Sequence, residues 1–265
     1  MKKNEDQIEK LWDTIKDEVA ISIKTNEMAA KFLEKSILRF NSLSDALASR
    51  IASKVSNSDF TKNEIMEISK REFSENPEIS NSASKDLLAF YERDPACNFF
   101  YQPFLYYKGF IALQIYRIGR SLYYSNEIDL AYFLQMRSSE IFGVDIHPAA
   151  KIGSGVMIDH AHNIVIGETA IIGDQVSMLH AVTLGGTGKS KGKRHPKIGD
   201  GVLIGAGAKI LGDISIGNCS RIAAGSVVLK SVPPCKTVAG VPAKEVGDAG
   251  CPEPAKTMNQ LLGKN

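Results

Sequence analysis

All five histidines of the 265-residue chain, His147, His160, His162, His180 and His195, fall between positions 147 and 195. Imidazole changes charge near neutral pH and serves as base, acid or metal ligand, so this concentration marks where chemistry is to be sought. Asp159-His160 directly follows an aliphatic Ile158. A histidine base needs an acceptor that fixes its tautomer, and Asp145 stands 15 residues earlier. The last histidine lies within a basic stretch that carries Lys189, Lys191, Lys193, Arg194 and Lys197. Such a stretch is either a solvated loop or a place where lysines meet phosphate and an arginine grips a carboxylate in two-pronged fashion. Gly188-Lys189-Ser190 imitates the end of a phosphate-binding loop, but the first glycine of that motif is replaced by Thr183 and no βαβ unit surrounds it.

The elements that must hold these residues change character near residue 145. Before it the apolar spacing is helical: Ile8, Leu11, Trp12, Ile15 and Val19, then Ala29, Phe32, Leu33, Ile37 and Phe40. Asp59 or Thr61 caps a further helix through Ile65, Ile68 and Phe73, which ends at Asn76-Pro77. Other helices are predicted from Ser84 to Tyr91, from about Phe104 to Tyr124, and from Ile128 to Phe142. From Ile146 the period becomes six: Ile146, Ile152, Ile158, Ile164, Ala170, Val176 and Val182, resuming at Ile198, Ile204, Ile210, Ile216, Ile222 and Val228. A second column, Ile166 and Ile172, is offset by two.

A period of six fits neither an α-helix nor a hairpin meander; it fits a hexapeptide β-solenoid whose coils of about 18 residues are triangular. The aliphatic column points inward, so His160 faces outward. The break between Val182 and Ile198 extrudes a loop, and a solenoid loop is a common binding face. One prism offers no closed pocket, so a concave site needs a second wall, and packing about a threefold axis provides it. Coils of 18 residues also put His162 and His180 in one column, where stacked imidazoles at a trimer seam could hold zinc. The metal-dependent hydratases on this solenoid, the γ-type carbonic anhydrases, use an H-x-x-x-x-H pair. No two histidines here have that spacing, and no metal is expected.

Bulk composition excludes other classes. With 32 Lys and Arg against 30 Asp and Glu, a net charge of +2 gives no reason to expect a nucleic-acid or membrane partner. The start, MKKNEDQIEK, lacks the apolar stretch of a secretory signal. Cys97, Cys219, Cys235 and Cys251 form no C-x-x-C pair and suit a reducing compartment, so a cytoplasmic setting is expected.

The runs Val144-Asp145-Ile146-His147-Pro148-Ala149-Ala150, Asp159-His160-Ala161, Val182-Thr183-Leu184-Gly185-Gly186-Thr187-Gly188-Lys189 and Arg194-His195-Pro196-Lys197 resemble bacterial serine acetyltransferases, members of the hexapeptide-repeat acyltransferases. So do Arg93-Asp94-Pro95-Ala96 in the helical half and Ala239-Gly240-Val241-Pro242-Ala243 near the end. The resemblance spans most of the chain. It implies an α + β protein: an N-terminal α-helical domain (1–143), a left-handed parallel β-helix of hexapeptide repeats (144–246) with loop 185–197, and a flexible C-terminal tail (247–265). It further implies acetyl transfer from acetyl-CoA, a co-substrate, to the hydroxyl of L-serine, in a homo-oligomeric trimer or dimer of trimers. His160, oriented by Asp145, would be the general base. Asp94 and Asp159 would hold the serine ammonium, and Arg194 and His195 its carboxylate. Gly185, Gly186, Thr187, Ala206 and Ala224 would form the coenzyme groove. Other acceptors, such as a sugar or homoserine, are the alternative within this class. Two departures stand out: the family's DHATG reads Asp159-His160-Ala161-His162-Asn163, and a position usually Gln or Asn is His180. Many relatives end in an isoleucine that enters cysteine synthase; this chain ends Gly263-Lys264-Asn265, which argues against that partner.

Overall fold

The computed structural model describes residues 2–188 and 191–262; Lys189, Ser190 and the Gly263-Lys264-Asn265 end, which entered the sequence reading, lie outside the described residues. Among the described residues eight α-helices come first: α1 (Lys2–Thr25), α2 (Glu27–Leu33, continued as a π-helical turn over Glu34–Leu38), α3 (Leu43–Val55), α4 (Lys62–Glu75), α5 (Pro77–Arg93), α6 (Tyr101–Tyr106), α7 (Lys108–Tyr124) and α8 (Ile128–Phe142). The α1 stripe Leu11, Trp12, Ile15 and Val19 is buried, as its spacing requires. Of the two candidate caps, Thr61 acts: its side chain accepts from the Glu64 N–H while the Glu64 carboxylate accepts from the Thr61 N–H.

Two helix boundaries differ from the sequence reading. Helix α5 begins at Pro77 rather than Ser84, because a proline at the first position loses no helical hydrogen bond. The long helix expected over Phe104–Tyr124 is two helices, broken at Tyr107 where the backbone is extended (φ −92°, ψ 106°). The break turns α7 onto the solenoid.

After Gly143, whose φ of +68° ends α8, the chain enters the coils. The strands are β1 (Val144–Ile146), β2 (Lys151–Ile152), β3 (Met157–Ile158), β4 (Ile164–Ile166), β5 (Ile171–Ile172), β6 (Ser177–Met178), β7 (Thr183–Gly185), β8 (Lys197–Ile198), β9 (Leu203–Ile204), β10 (Lys209–Leu211), β11 (Ser215–Ile216), β12 (Arg221–Ile222), β13 (Val227–Val228), β14 (Lys236–Gly240) and β15 (Ala243–Asp248). They stack in parallel as three flat faces, β1-β4-β7-β10-β13, β2-β5-β8-β11 and β3-β6-β9-β12-β14, with β15 antiparallel at the edge of the third. The tail expected to be flexible from 247 contains a short helix, α9 (Pro254–Thr257), whose Ala255 is buried and whose carbonyl accepts from the Ser177 hydroxyl at 2.7 Å.

The coils are not all 18 residues long. Ile152 pairs with Ile172, a step of 20, and Ile158 with Met178. Val165 pairs with Thr183, a step of 18, and Ile172 with Ile198, a step of 26. The two extra residues of the first coil lie between Ile158 and Ile164, and the inward strand column therefore continues through Ile166, Ile172, Met178 and Leu184. The expected continuation, Ile164, Ala170, Val176 and Val182, is buried too, but two residues before each of those positions.

The helices are clamped to the first coils by a buried polar set. Asp86 of α5 pairs with Arg117 of α7 at 2.7 Å and accepts from the Val156 N–H (2.9 Å) and the Gln114 amide (3.1 Å). Arg117 also donates to the Gly153 carbonyl at 2.7 Å. Tyr116 and Arg120 both donate to the Ala150 carbonyl. Gly109 completes the contact: a Cβ there would lie 2.0 Å from the Ile158 carbonyl oxygen, so only glycine lets α7 lie directly on β3.

Arg117→Met leaves the Asp86 carboxylate buried without its cation and is expected to cost about 3–5 kcal/mol in urea unfolding. Asp86→Asn combined with Arg117→Met should cost less than Arg117→Met alone; an equal or greater loss would mean the charge pair is not the clamp. Gly109→Ala is expected to cost about 1–3 kcal/mol, the range for overpacking, and wild-type stability for this variant would show that α7 can shift freely.

Candidate active site

Asp94, Asp159 and His160 line one cleft of about 360 Å³, walled by Phe90, Tyr106, Tyr107 and Gly109. Asp94 ends α5, where its carboxylate accepts from the Ala96 N–H at 2.9 Å. The residue before it fixes its place. Arg93 is buried and donates to the Ser177 hydroxyl (2.9 Å) and the Gln175 side-chain carbonyl, tying the end of α5 to the second coil. Tyr107, at the break between α6 and α7, faces Asp94; burial pushes its phenol up, so it stays neutral. Burial also raises the Asp159 carboxyl, opposed by the charge of His160 and reinforced by that of Asp94.

His160 sits in the corner lengthened by two residues. It and its neighbours Ala161 and Asn163 have φ of +58°, +50° and +54°, a conformation costly for residues with side chains and held here by the coils around it. Its Nε2 lies 3.4 Å from the Asp159 carboxylate and its ring is largely exposed. The lengthened coil changes its neighbour: His160, and not His162, stands beside His180, with ring centroids 5.8 Å apart. The expected His162–His180 column is thereby corrected. The strand registers put His160, His180, Ala206 and Ala224 at equivalent places on four successive coils, a single corner column. Its backbone is close-packed, with the Gly207 N–H donating to the His180 carbonyl at 2.9 Å and the Gly225 N–H to that of Ala206 at 2.8 Å.

Other expected residues stand elsewhere on the chain. Asp145, on β1, accepts from the Gln135 amide at 2.7 Å; among the described residues it makes no hydrogen bond or ion pair with His160. Arg194 and His195 lie on the loop at the far end of the face β1-β4-β7-β10-β13 from the His160 corner. Gly185, Gly186 and Thr187 lie at that same far end: a Cβ on Gly186 would be 3.3 Å from His195 Nε2. Arg194 pairs with Glu168 at 2.6 Å. His195 is buried beside Gly167, where any Cβ would come within 2.0 Å of the ring. The Thr169 N–H donates to His195 Nδ1 at 3.2 Å, so the neutral ring carries its proton on Nε2. Burial and then the Arg194 charge lower the pKa of this histidine, favouring that neutral form.

One chain therefore carries two groups of candidate residues at opposite ends of one flat face: acids and an exposed imidazole at one end, a guanidinium and an Nε2–H at the other. Arg93, Tyr107, Glu168 and Thr169 support these groups and were not singled out by sequence reasoning; Glu168-Thr169 has no visible signal, whereas Arg93 is part of the Arg-Asp-Pro-Ala run. Among the described residues no group of three or more His, Cys, Asp or Glu side chains could hold a metal ion, and no helix is long and apolar enough to cross a membrane.

Known proteins resemble this chain in sequence and fold. A family model described as serine acetyltransferase, N-terminal, matches residues 11–115, and one described as bacterial transferase hexapeptide (six repeats) matches residues 195–230. The serine acetyltransferase of Salmonella typhimurium is 48% identical over 255 residues, covering 96% of this chain and 93% of that protein. The crystal structure of Brucella abortus serine acetyltransferase in complex with coenzyme A is 50% identical, with a TM-score of 0.90, over 93% of this chain and 98% of that one. That of the Neisseria gonorrhoeae enzyme in complex with serine is 51% identical, with a TM-score of 0.87, over 89% and 97%. The likeness runs through both the helical half and the left-handed β-helix, and the chain belongs to the serine acetyltransferase family.

Proposed function

We propose that this protein transfers the acetyl group of acetyl-CoA to the hydroxyl of L-serine, giving O-acetyl-L-serine and coenzyme A, at sites completed between adjacent chains of a trimer or dimer of trimers. The observation that carries the reading is the pairing of the Asp94–Asp159–His160 cleft with the small-residue corner column that descends from it through Ala206 and Ala224. Asp94 and Asp159 hold the serine ammonium. Arg194 and the Nε2–H of His195, from the neighbouring chain, hold its carboxylate. These grips leave the serine hydroxyl beside His160.

His160 takes the hydroxyl proton as the oxygen attacks the thioester carbonyl. The tetrahedral intermediate then collapses, the C–S bond breaks, and the departing sulfur receives the proton from His160. No acyl-enzyme is formed. Asp145, held on its face by Gln135, orients His160 of the adjacent chain and stabilises the imidazolium. Gly185, Gly186 and Thr187 of the neighbour face the corner column and line the other wall of the coenzyme groove, where peptide N–H groups can approach closely. The organisation proposed is a helical domain (1–143), a catalytic β-helix (144–246) and a tail (247–265), in a cytoplasmic protein. Thiol release from acetyl-CoA with L-serine, L-homoserine and a galactoside compared side by side tests the acceptor: serine should be turned over far faster than the other two, and a preference for either would reject the assignment.

His160→Ala is expected to lower turnover by about two to four orders of magnitude with the oligomer intact; turnover within a few-fold of wild type would remove it from the role of base. Mixing His160→Ala with Arg194→Ala chains should recover part of the activity, since some seams then carry both intact residues. Persistently inactive mixed trimers would place both groups within one chain.

The raised Asp159 carboxyl sets a pH dependence. The serine ammonium needs the carboxylate, so binding weakens as pH falls through a pKa above the ordinary value of about 4. KM for serine should rise in acid before a normal carboxylate would titrate, and Asp159→Asn should raise KM at neutral pH and abolish that rise. A KM profile identical in the variant would dismiss Asp159 as the titrating group.

A further inference from the structure

The corner between the second and third faces carries one residue of positive φ on every coil: Gly155 (+66°), Gln175 (+57°), Gly201 (+65°), Cys219 (+55°) and Cys235 (+58°). One backbone hydrogen bond per coil repeats down this column, from Cys219 N–H to the Asp200 carbonyl (2.8 Å) and from Cys235 N–H to the Asn218 carbonyl (2.9 Å). Glycine is the default in this conformation, yet the last two coils place cysteines there. The pairing of Arg221 with Thr237 and of Ile222 with Val238 sets Cys219 opposite Cys235.

Side chains in the column lean toward the preceding coil. The Gln175 amide lies 2.3 Å from where a Gly155 Cβ would be, and the Cys219 sulfur 3.3 Å from where a Gly201 Cβ would be. By the same geometry Cys235 leans onto Cys219. Adjacent coils are about 4.8 Å apart, inside the Cα–Cα window of about 4.4–6.8 Å that a disulfide spans. Cys235 is exposed and Cys219 partly so, while Cys97 is buried beside the acetyl-transfer cleft with its thiol pushed up to about 11. Cys251 lies against the Thr257 hydroxyl at 3.3 Å.

We propose that Cys219 and Cys235 form a reversible intramolecular disulfide on exposure to hydrogen peroxide, making this corner a redox modification site separate from the acetyl-transfer site. Cys235, the accessible thiol, reacts first. Its thiolate attacks one peroxide oxygen, the O–O bond breaks, and the departing hydroxide takes up the proton that the Cys235 thiol released, leaving a sulfenic acid and water. The Cys219 thiolate then attacks the sulfenic sulfur, the S–O bond breaks, and the hydroxide takes up the proton released by the Cys219 thiol and leaves as a second water. Each peroxide is reduced to two waters as two thiols become one disulfide. The Cys219 thiol is raised by burial, first among its causes, which suits the resolving role. The bond would fasten the last coil, where Cys235 also accepts from the Ala249 N–H at 2.8 Å and so anchors the tail. Disulfides in a reducing compartment are mostly transient and sensory, which is the kind this site would form.

The test is brief treatment of the reduced full-length protein with hydrogen peroxide, a maleimide quench, and peptide mass spectrometry. Two of its four free thiols should be lost, with a fall of about 2 Da and one cross-linked peptide pair joining Cys219 to Cys235, reversed by dithiothreitol. The oxidised protein should unfold at higher urea than the reduced one, since the bridge closes a short loop. In Cys219→Ser, Cys235 should instead gain about 16 or 32 Da as sulfenic or sulfinic acid. Both thiols remaining open to maleimide, a bridge to Cys251 or to a second chain, or over-oxidation of Cys235 while Cys219 is present would each overturn the proposal.

Discussion

The buried pair between Asp86 and Arg117 governs how the two halves of this protein meet. Removing two charges from water costs several kcal/mol per ion, and the cost is offset only where every remaining hydrogen-bonding position is filled. Here it is offset by the Val156 N–H, the Gln114 amide and the Gly153 carbonyl, two of which belong to the solenoid backbone. The pair is thus satisfied only when α5 and α7 lie on the first coil in one orientation. From that constraint follow the position of Arg93 and Asp94 at the end of α5, and of Tyr107 and Gly109 at the start of α7. The cleft is the space left between two helix ends and a strand, so its shape depends on a charge pair that touches no substrate.

The period of six made the solenoid legible without any structure, and the phase break at Val182–Ile198 made the loop legible. The first coil's two extra residues were hidden for a physical reason. Each side of a triangular coil buries two positions, the strand centre and the corner residue two places before it, and both favour aliphatic side chains. Ile164, Ala170, Val176 and Val182 occupy corner positions and so continue the pattern in the wrong phase. The Ile166-Gly167 and Ile172-Gly173 pairs carried the true register. The same slip put His162 rather than His160 beside His180. The break at Tyr107 was invisible because the apolar run on either side of it is continuous, and a short helix and a long one bury the same kinds of residue. His160 stood out by its place after Ile158, and Asp94, Asp159, Arg194 and His195 entered through the family resemblance; their distribution over two ends of a face was beyond spacing alone, since it depends on which corner each loop leaves.

Electrostatics differ between the two ends of the face. At one end burial and mutual proximity make the carboxyl of Asp159 reluctant to ionise, a cost that an ammonium ion relieves. At the other, Arg194 is neutralised by Glu168 in the isolated chain while His195 is kept uncharged by burial and by Arg194 itself. On the proposed reading, a zwitterion placed between the two ends would meet the acids with its ammonium and the guanidinium with its carboxylate.

The column His160, His180, Ala206 and Ala224 measures distance as well as building a wall. Each coil adds one strand spacing of about 4.8 Å, so the column extends about 14 Å from the imidazole to the last alanine. On the proposed reading, a flexible thioester arm laid along it would be gauged in whole coils rather than by the fit of any single side chain. One more coil below Ala224 would lengthen that wall by one strand spacing and leave the His160 corner as it is.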